Sequence, residues 1–304
     1  MRRNIPTIFA VKGYALHDGP QIRTTVFFKG CPLSCLWCHN PEGLSPGIEI
    51  ITVIERCVGC GECVIICPQQ ALAPGTTAGM NRDPDLCTAC GRCVDVCPAL
   101  AHEVTGRQTS IAAVMAAIEK DRPFHDTSGG GVTFSGGEPL LQPDFLLALL
   151  QECGRREIHR TVDTTGFAPT ATVLAIAAAI DLFLYDLKMM DSARHRRYTG
   201  VDNALILANL AALCRAGHRV RIRVPLIAGI NDGEDDIRAI LAFLHDLPGI
   251  TGIDLLPYHG SGRAKYRKLG INYPGAALTA PDRNHTTTLL GIIRDAGFQA
   301  SIGG

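Results

Sequence analysis

Eleven of the thirteen cysteines stand in three tight groups, which restricts the chain to folds that gather each group for metal or redox chemistry. A reducing compartment does not maintain disulfide frameworks, so thiols at this density in a cytosolic chain of 304 residues read as ligands. The first group, Cys31, Cys35 and Cys38, lies in KGCPLSCLWCHNPE at CxxxCxxC spacing, with the next cysteine only at Cys57. A cubic [4Fe-4S] cluster takes four thiolates, so three clustered ligands would leave one iron open to something other than protein. A partial zinc site and unrelated buried thiols are the competing readings. Cys153 and Cys214 stand alone in helical-looking segments and read as small buried hydrophobes.

The other eight cysteines form an internal repeat with a period of 30 residues. CVGCGECVIICP (57–68) and CTACGRCVDVCP (87–98) agree at seven of twelve positions, including every cysteine and the final proline. Two tandem CxxCxxCxxxCP runs are similar to bacterial two-cluster ferredoxins, in which the fourth cysteine of each run ligates the other cluster. That resemblance implies one cluster on Cys57, Cys60, Cys63 and Cys97, and a second on Cys67, Cys87, Cys90 and Cys93. A pair of zinc sites is the alternative, since CxxC pairs also suit tetrahedral zinc; the extra CxxxCP of each half and the lack of intervening histidine count against it. A Pro/Gly-rich stretch (41–47) precedes the repeat and Thr105-Gly106-Arg107 follows it, so residues 47–106 read as an insertion.

Outside the insertion, residues 1–46 and 107–304 alternate short apolar runs with helical patterns, the mark of βα units around a parallel sheet. Strands are expected at 24–28, 132–134, 160–163, 182–185, 220–224 and 253–256, giving a partial (β/α)6 TIM-like barrel. Helices are expected after Ser110, from Pro143, and over 232–247 with Ile237, Ile240, Leu241 and Leu244 on one face. Each expected strand ends in a polar motif: the cysteine triad, Ser135-Gly136-Gly137-Glu138-Pro139, Asp163-Thr164-Thr165-Gly166, Asp186-Leu187-Lys188, Arg223, and Pro257-Tyr258-His259. Parallel α/β barrels build their sites on that rim, so the six motifs are expected to assemble one site. Singly, each also reads as an ordinary turn or a solvated polar group.

Basic and acidic residues number 29 each, which gives no global electrostatic ground for a nucleic-acid or membrane partner. The residues after Met1-Arg2-Arg3 lack the apolar stretch of about 7 to 15 residues that a signal peptide needs. The longest uncharged run, 164–180, contains Gly166 and Pro169 and falls short of the roughly 20 apolar residues that span a bilayer. The expectation is a soluble cytoplasmic protein.

The order of motifs, HDGPQIRTTVFFKGCP, WCHNPE, SGGGVTFSGGEP, DTTG, YDLK and LLPYH, resembles the glycyl radical enzyme activating enzymes of the radical S-adenosylmethionine (SAM) superfamily, in the subgroup with a two-cluster insertion. One departure is Gln21, where that family reads DGPGIR. The resemblance implies three [4Fe-4S] clusters, with SAM on the open iron of the Cys31, Cys35 and Cys38 cluster. It implies that Trp37 and His39 border the adenosine and that Gly136 and Gly137 let the backbone approach the ligand. Glu138 would accept the methionine ammonium, Asp186, Leu187 and Lys188 would contact SAM, Arg223 would bind its carboxylate or another anion, and His259 would lie near ribose or adenine. Asp163, Thr164 and Asp186 match positions that bind a monovalent cation in a relative of the family. No separate acid or base is implied. Reductive cleavage of SAM would yield a 5'-deoxyadenosyl radical that takes hydrogen from a glycine of a partner glycyl radical enzyme. A ferredoxin or flavodoxin is the expected electron donor, relayed by the insertion's clusters, and the protein is expected to be a monomer. Two other readings stay open: a radical SAM enzyme modifying a peptide or protein, and a non-catalytic iron-sulfur carrier.

Overall fold

The computed structural model describes residues 6–75 and 79–303; Met1-Arg2-Arg3 and the chain's last residue, Gly304, lie outside them. The six expected strands are present with slightly wider bounds: β2 (Arg23–Phe28), β8 (Gly131–Gly136), β9 (His159–Thr164), β10 (Leu182–Asp186), β11 (Val220–Leu226) and β12 (Ile250–Pro257). They lie side by side in chain order, all parallel. All six residues of β2 are buried, as a parallel strand covered on both faces requires.

Three strands of the main sheet are not among those expected. β1 (Thr7–Ala15) and β7 (Arg107–Gln108) extend the β2 edge antiparallel, and β13 (Ala300–Ile302) adds to β12 in parallel, completing a nine-stranded sheet. β1 lacks strict alternation because its register is shifted at two places against β2. β7 and β13 are too short to carry a periodic signal. The sheet does not close: β7 and β13 are its two ends, consistent with a partial TIM-like barrel.

Helices α3 (Ile111–Ile118), α4 (Arg122–Ser128), α5 (Pro143–Arg155), α6 (Thr170–Ala177), α7 (Ser192–Thr199), α8 (Ala204–Arg215), α9 (Glu234–Leu244), α10 (Gly262–Leu269) and α11 (Arg283–Asp295) follow the strands. Ser110 caps α3 as expected, accepting from Ala113 N at 3.2 Å, and Pro143 opens α5. Helix α9 buries Ile237, Ile240, Leu241 and Leu244 but is shorter than the expected 232–247. Cys153 and Cys214 are buried in the barrel core, as their sequence context indicates.

Between β2 and β7 the chain leaves the barrel. β3 (Glu49–Thr52) pairs with β6 (His102–Thr105), and β4 (Leu72–Pro74) with β5 (Met80–Arg82), in two small sheets separate from the main one. The short helices α1 (Glu62–Ile66) and α2 (Arg92–Asp95) follow Gly61 and Gly91, both at φ +81. The core here is small: Ile50, Leu72, Met80, Cys63 and Cys93. The segment docks on the barrel through Lys29, whose buried ammonium donates to Glu49 Oε2 and Glu42 O at 2.7 Å each, and through Arg82, which donates to Leu269 O at the end of α10.

Candidate functional site

One cavity of about 430 Å³ is lined by residues from all six strand-end motifs. Cys31, Cys35 and Cys38 form part of its wall, on a loop held by backbone bonds from Cys31 N to Leu44 O (3.1 Å), Ser34 N to Thr199 O (2.8 Å) and Leu36 N to Tyr198 O (3.0 Å). Burial raises the proton affinity of all three thiols, reinforced at Cys31 by Glu138 and opposed at Cys35 by Lys188, which leaves Cys35 pushed up to about 11. Left alone they would stay protonated and inert; coordination to a metal is what would hold them as thiolates.

At one end of the cavity the lining is charged. Lys188 is 5% exposed and donates to Asp186 Oδ2 at 2.7 Å. Burial pulls its proton affinity down, but Asp186 and the Cys35 and Cys31 thiols outweigh that and hold the ammonium above the ordinary lysine range. Asp163 accepts from Ser135 Oγ at 2.6 Å and faces Arg223 Nη1 at 3.3 Å. Burial lifts Asp163 above the usual carboxylate range despite Arg223. The pairing of Asp186 with Arg223 across β10 and β11 keeps these groups together.

At the other end the lining is aromatic. His39 stacks on His259 with ring centres 4.0 Å apart, and its Nε2 lies 2.8 Å from His259 O. Burial, with help from His259, pulls His39 down to about 4, so its ring is neutral. Trp37 and Tyr258 are buried beside them in one cluster, with Tyr258 Oη 2.9 Å from Tyr273 Oη.

Two residues expected at the ligand, Glu138 and Leu187, are not in the cavity lining. Glu138 is fully buried and does not line the cavity. Its Oε1 accepts from Thr164 Oγ1 (2.6 Å) and Leu140 N (3.2 Å), and its Oε2 from Thr165 N (2.9 Å) and Oγ1 (2.6 Å). A carboxylate has about four lone-pair positions, all engaged here, so Glu138 ties the β8 and β9 loops together. Leu187 is also absent from the lining; its side chain joins the core while its N donates to Arg223 O at 2.9 Å.

Gly136 and Gly137 line the cavity, but their lack of side chains serves the fold first. A Cβ on Gly137 would lie 2.2 Å from Gly30 O and 2.4 Å from Gly43 O, and one on Gly136, at φ +117, would lie 2.3 Å from Phe28 N. Asp163 and Asp186 both open on the cavity, each already facing a protein cation, whereas Thr164 turns its hydroxyl to Glu138. Among the described residues no three His, Cys, Asp or Glu side chains converge as they would on a single ion. Sequence reasoning missed Gly30 and Gly43 at the glycine junction, and His17 and Gly303 in the lining. His17 stands in the β1–β2 turn and Gly303 follows the edge strand β13, so the cavity reaches one edge of the open sheet.

The eight repeat cysteines surround two smaller cavities. Cys57, Cys60, Cys63 and Cys97 line one; Cys67, Cys87, Cys90 and Cys93 line the other. Each set takes three thiols from one run and the fourth from the other.

The profile of the Radical SAM superfamily matches residues 25–244. The chain is 46% identical over 272 residues to the choline trimethylamine-lyase activating enzyme of Oleidesulfovibrio alaskensis, covering 88% of each chain. It is 41% identical over 302 residues to the trans-4-hydroxy-L-proline dehydratase activating enzyme of Clostridioides difficile, covering 98% of this chain and 99% of that one. A solved domain of a pyruvate-formate lyase-activating enzyme from Bacteroides vulgatus aligns with a TM-score of 0.50 at 39% identity, covering 58% of this chain and 99% of that one. With that similarity running through the cysteine loop and the strand ends, the chain belongs to the radical SAM superfamily, among the activating enzymes of glycyl radical enzymes.

Proposed function

We propose that the protein installs the radical of a glycyl radical enzyme, with a [4Fe-4S] cluster on Cys31, Cys35 and Cys38 and SAM beside it. The observation that carries the reading is the meeting of all six strand-end motifs at one cavity with the triad in its wall. When bound, this pair supplies one-electron cleavage of the sulfonium to methionine and a 5'-deoxyadenosyl radical, which takes hydrogen from a glycine Cα of the partner.

The cavity's two ends suit the two ends of SAM. Lys188 and Arg223 offer cations to a carboxylate, and Asp163 and Asp186 offer acceptors to an ammonium in place of Glu138. Trp37, His39, Tyr258 and His259 give flat surfaces against which an adenine could lie. Neutral His39 adds no charge there. A partner's glycine segment would come in where His17 and Gly303 line the cavity.

The insertion is assigned two further [4Fe-4S] clusters, supported by the two cages of four thiols with crossed membership. They would relay electrons from a ferredoxin or flavodoxin. The named targets of the relatives include a lyase and a dehydratase, so the shared element is the glycine-bearing partner rather than its chemistry.

Anaerobically reconstituted, reduced protein should release 5'-deoxyadenosine from SAM, and Cys35→Ala should abolish the release. Mixed with its partner, it should generate an organic radical signal that disappears when the partner's glycine is replaced by alanine. A wild-type protein loaded with iron that leaves SAM intact under these conditions sinks the proposal.

A further inference from the structure

The two cages of the insertion repeat in backbone but not in charge. Gly61 and Gly91 share φ +81, Gln70 and Leu100 lie at φ +51 and +50, and Ala71 N and Ala101 N donate to Cys67 Sγ and Cys97 Sγ at 3.3 and 3.2 Å. Glu62 lines the Cys57 cage, whereas its counterpart 30 residues on, Arg92, lines the Cys87 cage. His102 also lines the Cys57 cage, with Nδ1 3.1 Å from Thr52 Oγ1 and its imidazole held neutral by burial and by Arg82. Arg82 lines the Cys87 cage; its Nε is buried with no acceptor among the described residues, while Nη2 donates to Leu269 O in α10. At its other end α10 abuts the catalytic loop, where a Cβ on Gly262 would lie 2.9 Å from Cys38 O.

Reduction adds one negative charge to a cluster already carrying four thiolates. A neighbouring cation stabilises the reduced form and a neighbouring carboxylate opposes it. We propose that the insertion is electrostatically ordered: Arg82 and Arg92 make the cluster of Cys67, Cys87, Cys90 and Cys93 the more readily reduced of the two, and Arg82 ties that cage to α10, which also meets the other side of the insertion through Arg267 and Glu55. This rests on the two-cluster reading of the insertion. With clusters held by the two sets of four thiols, these charges would favour passage of one electron, supplied by a low-potential donor protein, from the Cys57-side cluster to the Cys87-side cluster, with no bond made or broken. Arg82 and Arg92 act here as positioning residues for charge.

The test is a potentiometric titration of the full-length, anaerobically reconstituted protein, followed by electron paramagnetic resonance. Arg92→Glu should lower one auxiliary midpoint by about tenfold in the reduced-to-oxidised ratio, or 59 mV for a one-electron couple. Arg82→Gln should lower that same midpoint, and Glu62→Arg should raise the other. The midpoint of the Cys31, Cys35 and Cys38 cluster serves as the unmoved reference. Arg92→Gln, expected to act more weakly in the same direction, covers the case of a charge-reversed protein that fails to load. Midpoints that stay put, move together, or respond to Glu62→Arg and Arg92→Glu at the same cluster overturn the ordering. Iron and sulfide analysis of the wild type separates that failure from the other one: fewer than two clusters in the insertion would overturn the two-cluster reading itself.

Discussion

Gln21 holds a left-handed backbone at φ +64, the position where the similar family reads glycine. An L side chain there costs about 1–2 kcal/mol, partly offset by the lower chain entropy of a non-glycine residue. Gln21→Gly should therefore stabilise the protein by about 1 kcal/mol in chemical denaturation, and a loss of stability would contradict the strain argument. His125 gives a pH prediction. It is 4% exposed, with Nε2 3.1 Å from Thr24 Oγ1 and Nδ1 without a hydrogen-bond partner among the described residues. Burial holds its imidazole below the ordinary range, and Asp121 opposes this without cancelling it. Because the unfolded chain takes up this proton near pH 6.5 and the folded chain does not, the stabilisation is present above that pH and lost as pH falls through it. Unfolding curves between pH 5.5 and 7.5 should show stability rising with pH, with a shallower slope in His125→Gln. Neither the left-handed turn nor the burial of His125 could be read from residue type alone, because both depend on what surrounds the backbone.

Where β2 and β8 end, the loops meet at glycines. Gly137 N donates to Phe28 O, Glu138 N to Gly30 O and Gly30 N to Gly43 O, at 2.8, 2.7 and 2.8 Å. A Cβ on Gly43 would lie 2.8 Å from Gly137 N. Gly43→Ala should cost about 1–3 kcal/mol, as overpacking does, and weaken SAM binding by shifting Gly136 and Gly137, readable in thermal unfolding and equilibrium dialysis. In α11 the opposite holds: a Cβ on Gly291 meets nothing within 4 Å, so Gly291→Ala should stabilise by about 0.8–1 kcal/mol. Equal effects at the two glycines would refute the distinction drawn from their surroundings. The parallel strands and α3, α5 and α9 were legible because their apolar spacing and caps are local. β1, β7 and β13 were not, since short or register-shifted strands at a sheet's ends carry little periodicity.

At the scale of the molecule, the barrel and the insertion draw on different sources of stability. The barrel core joins apolar residues from β1 through α11, whereas the insertion has a five-residue core that includes Cys63 and Cys93. So small a core is marginal without a metal staple. Removing iron with a chelator should leave the barrel's amides protected from hydrogen exchange while those of residues 49–105 exchange freely; retained protection in the insertion would show that its fold does not need metal. The cysteine spacing by itself determined the three groups; the crossed sets of four came only with the resemblance to two-cluster ferredoxins, and the same two sets of thiols line the two small cavities. The alternation of strands and helices likewise placed the polar motifs on one rim. Only the tertiary structure decided which of those polar groups face the cavity: Glu138 turns inward because four donors on neighbouring loops occupy its oxygens, and Leu187 because its side chain completes the core. Sequence sets which chemistry a chain carries, but competition among neighbours for each hydrogen bond and each apolar surface exists only once the chain is folded.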